Sequence, residues 1–112
     1  MSSKDEIMHA VQKMVAKIED PSLEKRFRNY DRIMLMTYKD IGLDITIEFK
    51  EGKATVSEGA HESPDMTIIT DTATILGILD GSKSAMRSFM GGKIKADGPA
   101  RDLMKLQSLL KS

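Results

Sequence analysis

Few residues in this chain have the types that acid–base, nucleophilic or metal chemistry needs. There are two histidines and no cysteine, so a thiolate nucleophile, a thiolate metal site and a disulfide are excluded. His61 stands beside Glu62 in the Gly59–Pro64 loop. Such a pair can be a fragment of a base or metal site, but a site needs converging partners. A solvated loop pair is the better reading. Glu6 and His9 have the spacing of half a di-iron carboxylate site, and the second half is missing. Gly81-Ser82-Lys83-Ser84 and Gly91-Gly92-Lys93 look like pieces of phosphate loops. Neither has the four-residue spacer and Gly-Lys-Ser/Thr ending of a P-loop, so the glycines read as helix stops. The alternative for Gly91 and Gly92 is close backbone approach to a ligand. Arg26, Arg28 and Arg32 form one basic group, and Lys93, Lys95 and Arg101 another. Charge groups of this kind are usually solvated faces; the alternative is a greeting surface for a lipid headgroup or carboxylate at a cavity mouth. No catalytic residue, metal ligand or cofactor is expected.

The elements that would position a site alternate in period. Ser3-Lys4-Asp5-Glu6 has the form of a capping box, and Ile7, Met8, Val11, Met14, Val15 and Ile18 follow at helical spacing. Asp20-Pro21 restarts the helix, to about Arg28, with Leu23 and Phe27 four apart. Strands are expected over Arg32–Tyr38, over Leu43–Lys50 with strict alternation, and over Lys53–Glu58 after a Glu51-Gly52 hairpin turn. A fourth follows at Met66–Thr70. Thr70 or Asp71 then caps a helix to about Asp80, stopped by Gly81. A short helix over Lys83–Met90, a strand over Lys93–Asp97 and a last helix over Pro99–Lys111 complete the chain. Three consecutive antiparallel strands with helices before and after argue for an α+β domain, helices over one sheet face.

Composition narrows the function classes. The chain has 112 residues, with 17 basic and 17 acidic side chains and zero formal net charge. An electrostatic nucleic-acid binder would show a basic surplus, so no nucleic acid is expected as a partner. No apolar run approaches the roughly 18–20 residues of a membrane span, and the first residues lack a signal-peptide core. A single soluble domain over residues 1–112, in the cytoplasm, is expected. There is no tryptophan, but there are nine methionines. Methionine is flexible and polarizable, suited to filling irregular cores or to lining a wall that accepts varied guests. Apolar residues crowd the stretch from Ile75 to Leu110, on short helices broken by glycine. That arrangement suits a gap with apolar walls, against the alternative of an ordinary packed core.

Four blocks in that half resemble one family. They are Pro64-Asp65-Met66-Thr67-Ile68-Ile69-Thr70, Ile75-Leu76-Gly77-Ile78-Leu79-Asp80-Gly81, the run from Ser88-Phe89-Met90-Gly91-Gly92-Lys93 to Asp97-Gly98, and Leu103 to Leu110. Their order and spacing resemble the sterol carrier protein 2 family. The resemblance implies a five-stranded, mostly antiparallel sheet covered by helices, with an apolar tunnel between them. It implies non-catalytic binding, and transfer, of a fatty acid, fatty acyl-CoA, phospholipid or sterol. Carried over by position, the walls would be Ile75, Leu79, Met86, Phe89, Met90, Leu103, Leu106 and Leu110, closed by Ile45 and Ile47. Transient membrane contact is compatible with that role. The rival reading is a dimerisation or interaction module. The strand Ile33-Met34-Leu35-Met36 is apolar on both faces, and a homodimer through the sheet would cover the second one.

Overall fold

The computed structural model describes residues 3–111. Alternation in the sequence becomes a two-faced sheet. Strand β1 spans Arg32–Tyr38, β2 Leu43–Lys50, β3 Lys53–Glu58, β4 Met66–Thr70 and β5 Lys95–Asp97. In β2, Leu43, Ile45, Ile47 and Phe49 are buried, while Glu48 and Lys50 are exposed. The strands lie in the order β3-β2-β1-β4-β5. All neighbours are antiparallel except β1 and β4, which run parallel. Register brings Met34 between Ile47 and Met66, and Met36 between Ile45 and Ile68. One face is therefore a continuous apolar floor. The β2–β3 turn has both central residues in the left-handed region, Glu51 at φ 53° and Gly52 at φ 78°. That geometry matches the twist of the paired strands, and glycine adopts it without penalty.

Helices cover the floor. Helix α1 spans Ser3–Ala16 and runs on into a single 3-10 turn, Lys17–Glu19. Its Ile7, Val11, Met14 and Val15, with Ile18 in the turn, are buried along one stripe. The side chain of Ser3, the cap expected from the sequence, lies outside what is described. Helix α2 spans Pro21–Phe27, with Pro21 in its first turn and the Asp20 carboxylate accepting from the Ser22 amide. Helix α3 spans Thr72–Leu79, α4 Ala85–Met90 and α5 Ala100–Lys111. Of the two caps expected for α3, Asp71 is the one used: its carboxylate accepts from the Thr74 amide at 2.8 Å. Asp71→Ala is expected to lower stability by about 1 kcal/mol, read as a shifted urea midpoint at unchanged slope. The expected start of α4 at Lys83 moves to Ala85, because Ser84 caps it through the Arg87 amide. The expected fifth strand likewise shortens at its start, from Lys93 to Lys95.

Among the described residues, the opposite face of the sheet carries no helix. The Gly59–Asp65 connection crosses it instead, from β3 over β2 and β1 to β4. Thr46 anchors the crossing, its hydroxyl donating to the Gly59 carbonyl and accepting from the His61 amide. Asp65 closes it by exchanging two hydrogen bonds with the Ile33 backbone, each 2.8 Å. Ile33 and Leu35 are half-buried on this side, and Ile69 is 41% exposed. The apolar outer face of β1 thus lies on the side that this seven-residue strap crosses.

Candidate functional site

The sequence-level candidates for covalent or metal chemistry do not converge. His9 is exposed on α1. His61 serves its own loop, where its Nδ1 accepts from the Ser63 amide at 2.9 Å and holds the strap's turn. Among the described residues, no three of His, Cys, Asp or Glu group as a metal site would require. Both glycine stretches end helices. Gly81 has φ +88° and follows the α3 cap, and the Gly91 amide donates back to the Arg87 carbonyl.

One buried polar cluster escaped the sequence reading. Asp102, in the first turn of α5, has no exposed surface. Its carboxylate accepts from the Tyr30 hydroxyl and, in a fork, from Arg32 Nε at 3.2 Å and Arg32 Nη2 at 2.8 Å. Arg32 also lies 3.7 Å from Asp65. Burial alone would push the Asp102 carboxyl up; the hydrogen bonds from Arg32 and Tyr30, with the Arg32 charge, outweigh it and hold the group below the usual carboxylate range. Burial, then Asp102, pushes the Tyr30 hydroxyl up, so it remains a donor. An ionised carboxylate whose hydrogen-bond partners are all supplied by its own chain acts as a structural tie. It fixes the start of α5 to β1 and to the start of β4. The expected solvated face of Arg26, Arg28 and Arg32 is corrected here, since Arg32 is only 22% exposed and is committed to this pair.

The ten apolar candidates divide into three groups. Ile45, Ile47, Ile75, Leu106 and Leu110 are buried together in the core between sheet and helices. Leu79, Phe89 and Leu103 are half-buried and pack against that core. They come from α3, α4 and α5, and α5 packs against both of the others along this margin of the core. Met86 and Met90 are not brought to the others: they are 66% and 83% exposed. Helical spacing explains the difference. In a helix of six residues, Ala85, Ser88 and Phe89 share the inward face, which leaves Met86 and Met90 one turn apart on the outer one. The principal hollows open on the surface, and none is lined by any of the ten. One, about 750 Å³, is a groove between α2 and α5 lined by Leu23, Arg26, Met104, Lys105 and their neighbours.

Comparison with known proteins decides the family. The profile of the SCP-2 sterol transfer family matches residues 11–111. The chain belongs to that family. No curated protein matches this SCP-2 domain in sequence. Solved structures share its fold. One is a ubiquinone synthesis protein, UbiJ-SCP2, with TM-score 0.74, 14% identity, and 96% of this chain covered against 95% of that one. Another is palmitated SCP2L2 from Aedes aegypti, with TM-score 0.73, 20% identity, and 92% of each chain covered. A third is the stereoselective inverting sec-alkylsulfatase Pisa1 from Pseudomonas sp., with TM-score 0.67 and 21% identity; 80% of this chain is covered. The SCP-2 domain spans only 14% of that enzyme's length. Lipid binding and transfer is the general business of the family, whose members are as a rule carriers rather than enzymes. No helix among the described residues is long and apolar enough to cross a membrane.

Proposed function

We propose that this SCP-2 domain binds and transfers, without covalent chemistry, a lipid with one long apolar chain. The chain lodges at the margin of Leu79, Phe89 and Leu103, against Ile75, Leu106 and Leu110, with Ile45 and Ile47 as floor. The observation that carries this reading is that Leu79, Phe89 and Leu103, from three separate helices, are half-buried against one core. α4 is held inward by little besides Ser88, Ala85 and Phe89, so it is the element that moves to admit a guest. Each buried methylene gains about 0.8 kcal/mol, so a chain of about a dozen contributes ~10 kcal/mol before the costs of association. No specific hydrogen bond is required. A fluorescent fatty-acid analogue, displaced by unlabelled fatty acid, acyl-CoA or sterol, tests this. Saturable binding near one per chain is expected, and the ranking of competitors names the lipid class. Absence of saturable binding by folded, delipidated protein overturns it.

The outer face of the sheet favours a second reading, an interaction module. Ile33, Leu35 and Ile69 lie there without a helix over them. A mass that rises with concentration, together with no lipid uptake, would establish a homodimer through the sheet in place of carriage.

A further inference from the structure

The outer side of α4 has no role in the packing, and it combines two properties that are rarely left together on a free surface. Met86 and Met90 stand one helical turn apart, 66% and 83% exposed. Around them, residues 81–96 contain Lys83, Arg87, Lys93 and Lys95 and no acidic residue. A local formal charge of +4 therefore sits between Asp80 and Asp97 in a chain whose total is zero. All four cations are exposed, and none forms an ion pair among the described residues. Asp71 and Asp80 lie behind them, close enough for Lys83 to act on both and Lys93 on Asp71, without closing a salt bridge.

We propose that the Gly81–Lys93 segment, with Met86 and Met90 as apolar pegs and Lys83, Arg87 and Lys93 as basic residues beside them, is the face by which this domain docks on an anionic lipid bilayer. Flexible apolar side chains enter the headgroup–acyl boundary, and cations around them meet lipid phosphates. Charge complementarity selects an anionic bilayer over an acidic protein groove, because the pegs form a two-residue ridge rather than the longer stripe that a helix-binding groove reads. The groove between α2 and α5 is also basic, but two of its three cations, Arg26 and Lys105, are engaged within the chain. Arg26 donates to Ser108 at 2.8 Å, and Lys105 donates to the Arg26 carbonyl. Docking through α4 brings Phe89, on the inward side of the same helix, next to the bilayer. The inference deepens the lipid-carrier reading and rests on it for its purpose.

The chain has no tryptophan, so Met90→Trp places a single reporter on the ridge. With phosphatidylcholine vesicles containing about 30% phosphatidylglycerol at low salt, its emission is expected to shift to the blue and to be quenched by brominated acyl chains. Phosphatidylcholine alone is expected to give neither. Arg87→Gln, in the reporter background, is expected to weaken vesicle binding about fivefold. Arg101→Gln, on α5, is expected to leave it unchanged. Without the reporter, Met86→Ser with Met90→Ser is expected to lower cosedimentation with the same vesicles about tenfold at unchanged Tm. No blue shift with anionic vesicles, or a loss that follows Arg101→Gln but not Arg87→Gln, overturns the docking face. So does a shift induced only by an acidic polypeptide. The soluble fatty-acid titration separates the two readings: uptake without vesicle binding overturns docking alone, and vesicle binding without uptake overturns carriage alone.

Discussion

Asp102→Ala is expected to destabilise the fold by about 3 kcal/mol and to lower Tm by about 10 °C. The reason is what the substitution leaves behind. Asp102 is fully buried and serves three donors from two residues. Without it, the Tyr30 hydroxyl loses its acceptor in a tight aromatic cluster, where the Phe27 and Phe49 ring centroids lie 5.6 Å and 5.3 Å from its own. The Arg32 guanidinium keeps only its longer approach to Asp65. Tyr30→Phe removes one donor and leaves the Arg32 fork, so a loss of about 1 kcal/mol is expected. The pH dependence has a definite sign. Asp102's folded pKa is depressed, so its contribution is complete above the unfolded value and is lost as pH falls through the folded one. Urea midpoints of wild type and Asp102→Ala are therefore expected to differ most near neutrality and to converge below about pH 4. A constant gap down to pH 2 would show that the carboxylate's charge is not what ties α5 to β1.

This tie also marks where reading the sequence stops. Local signals were legible because their causes are local. Strict alternation placed β2, Asp20-Pro21 opened α2, Glu51-Gly52 turned the hairpin, and glycines ended α3 and α4. The SCP-2 family and its α+β sheet were legible from four blocks between Pro64 and Leu110. The parallel pairing of β1 with β4 was not, since it depends on a strap whose anchors, Thr46 and Asp65, have no signature of their own. Nor was the Asp102 cluster, because its partners are 72 and 70 residues away. Arg32 read as one of a solvated trio for the same reason. Met86 and Met90 show the same limit from the apolar side. Their type said "interior", but α4 is too short to bury both faces, and only the fold decides which face turns inward.

Separating core from margin gives the second large effect. Leu106→Asp is expected to prevent folding rather than merely to block binding. Leu106 has no exposed surface, so the change removes a packed side chain, worth about 2–5 kcal/mol, and strands a carboxyl in the core at a further cost of several kcal/mol. Together these approach the roughly 5–15 kcal/mol of net stability that a domain possesses. Phe89→Asp acts elsewhere. Phe89 is half-buried on an element with few inward contacts, so its carboxylate can reach water, and the far-ultraviolet spectrum is expected to stay native. Fatty-acid affinity is expected to fall at least tenfold, because the charge would stand at the margin through which the chain enters. Leu106→Ala completes the comparison: about 3 kcal/mol less stable, still folded, and raised in Tm by saturating lipid as any ligand of the native state would do. Native-like affinity in folded Phe89→Asp would move the binding site away from α3, α4 and α5. The groove between α2 and α5, with Leu23 and Met104 on its walls, would then be the place to look.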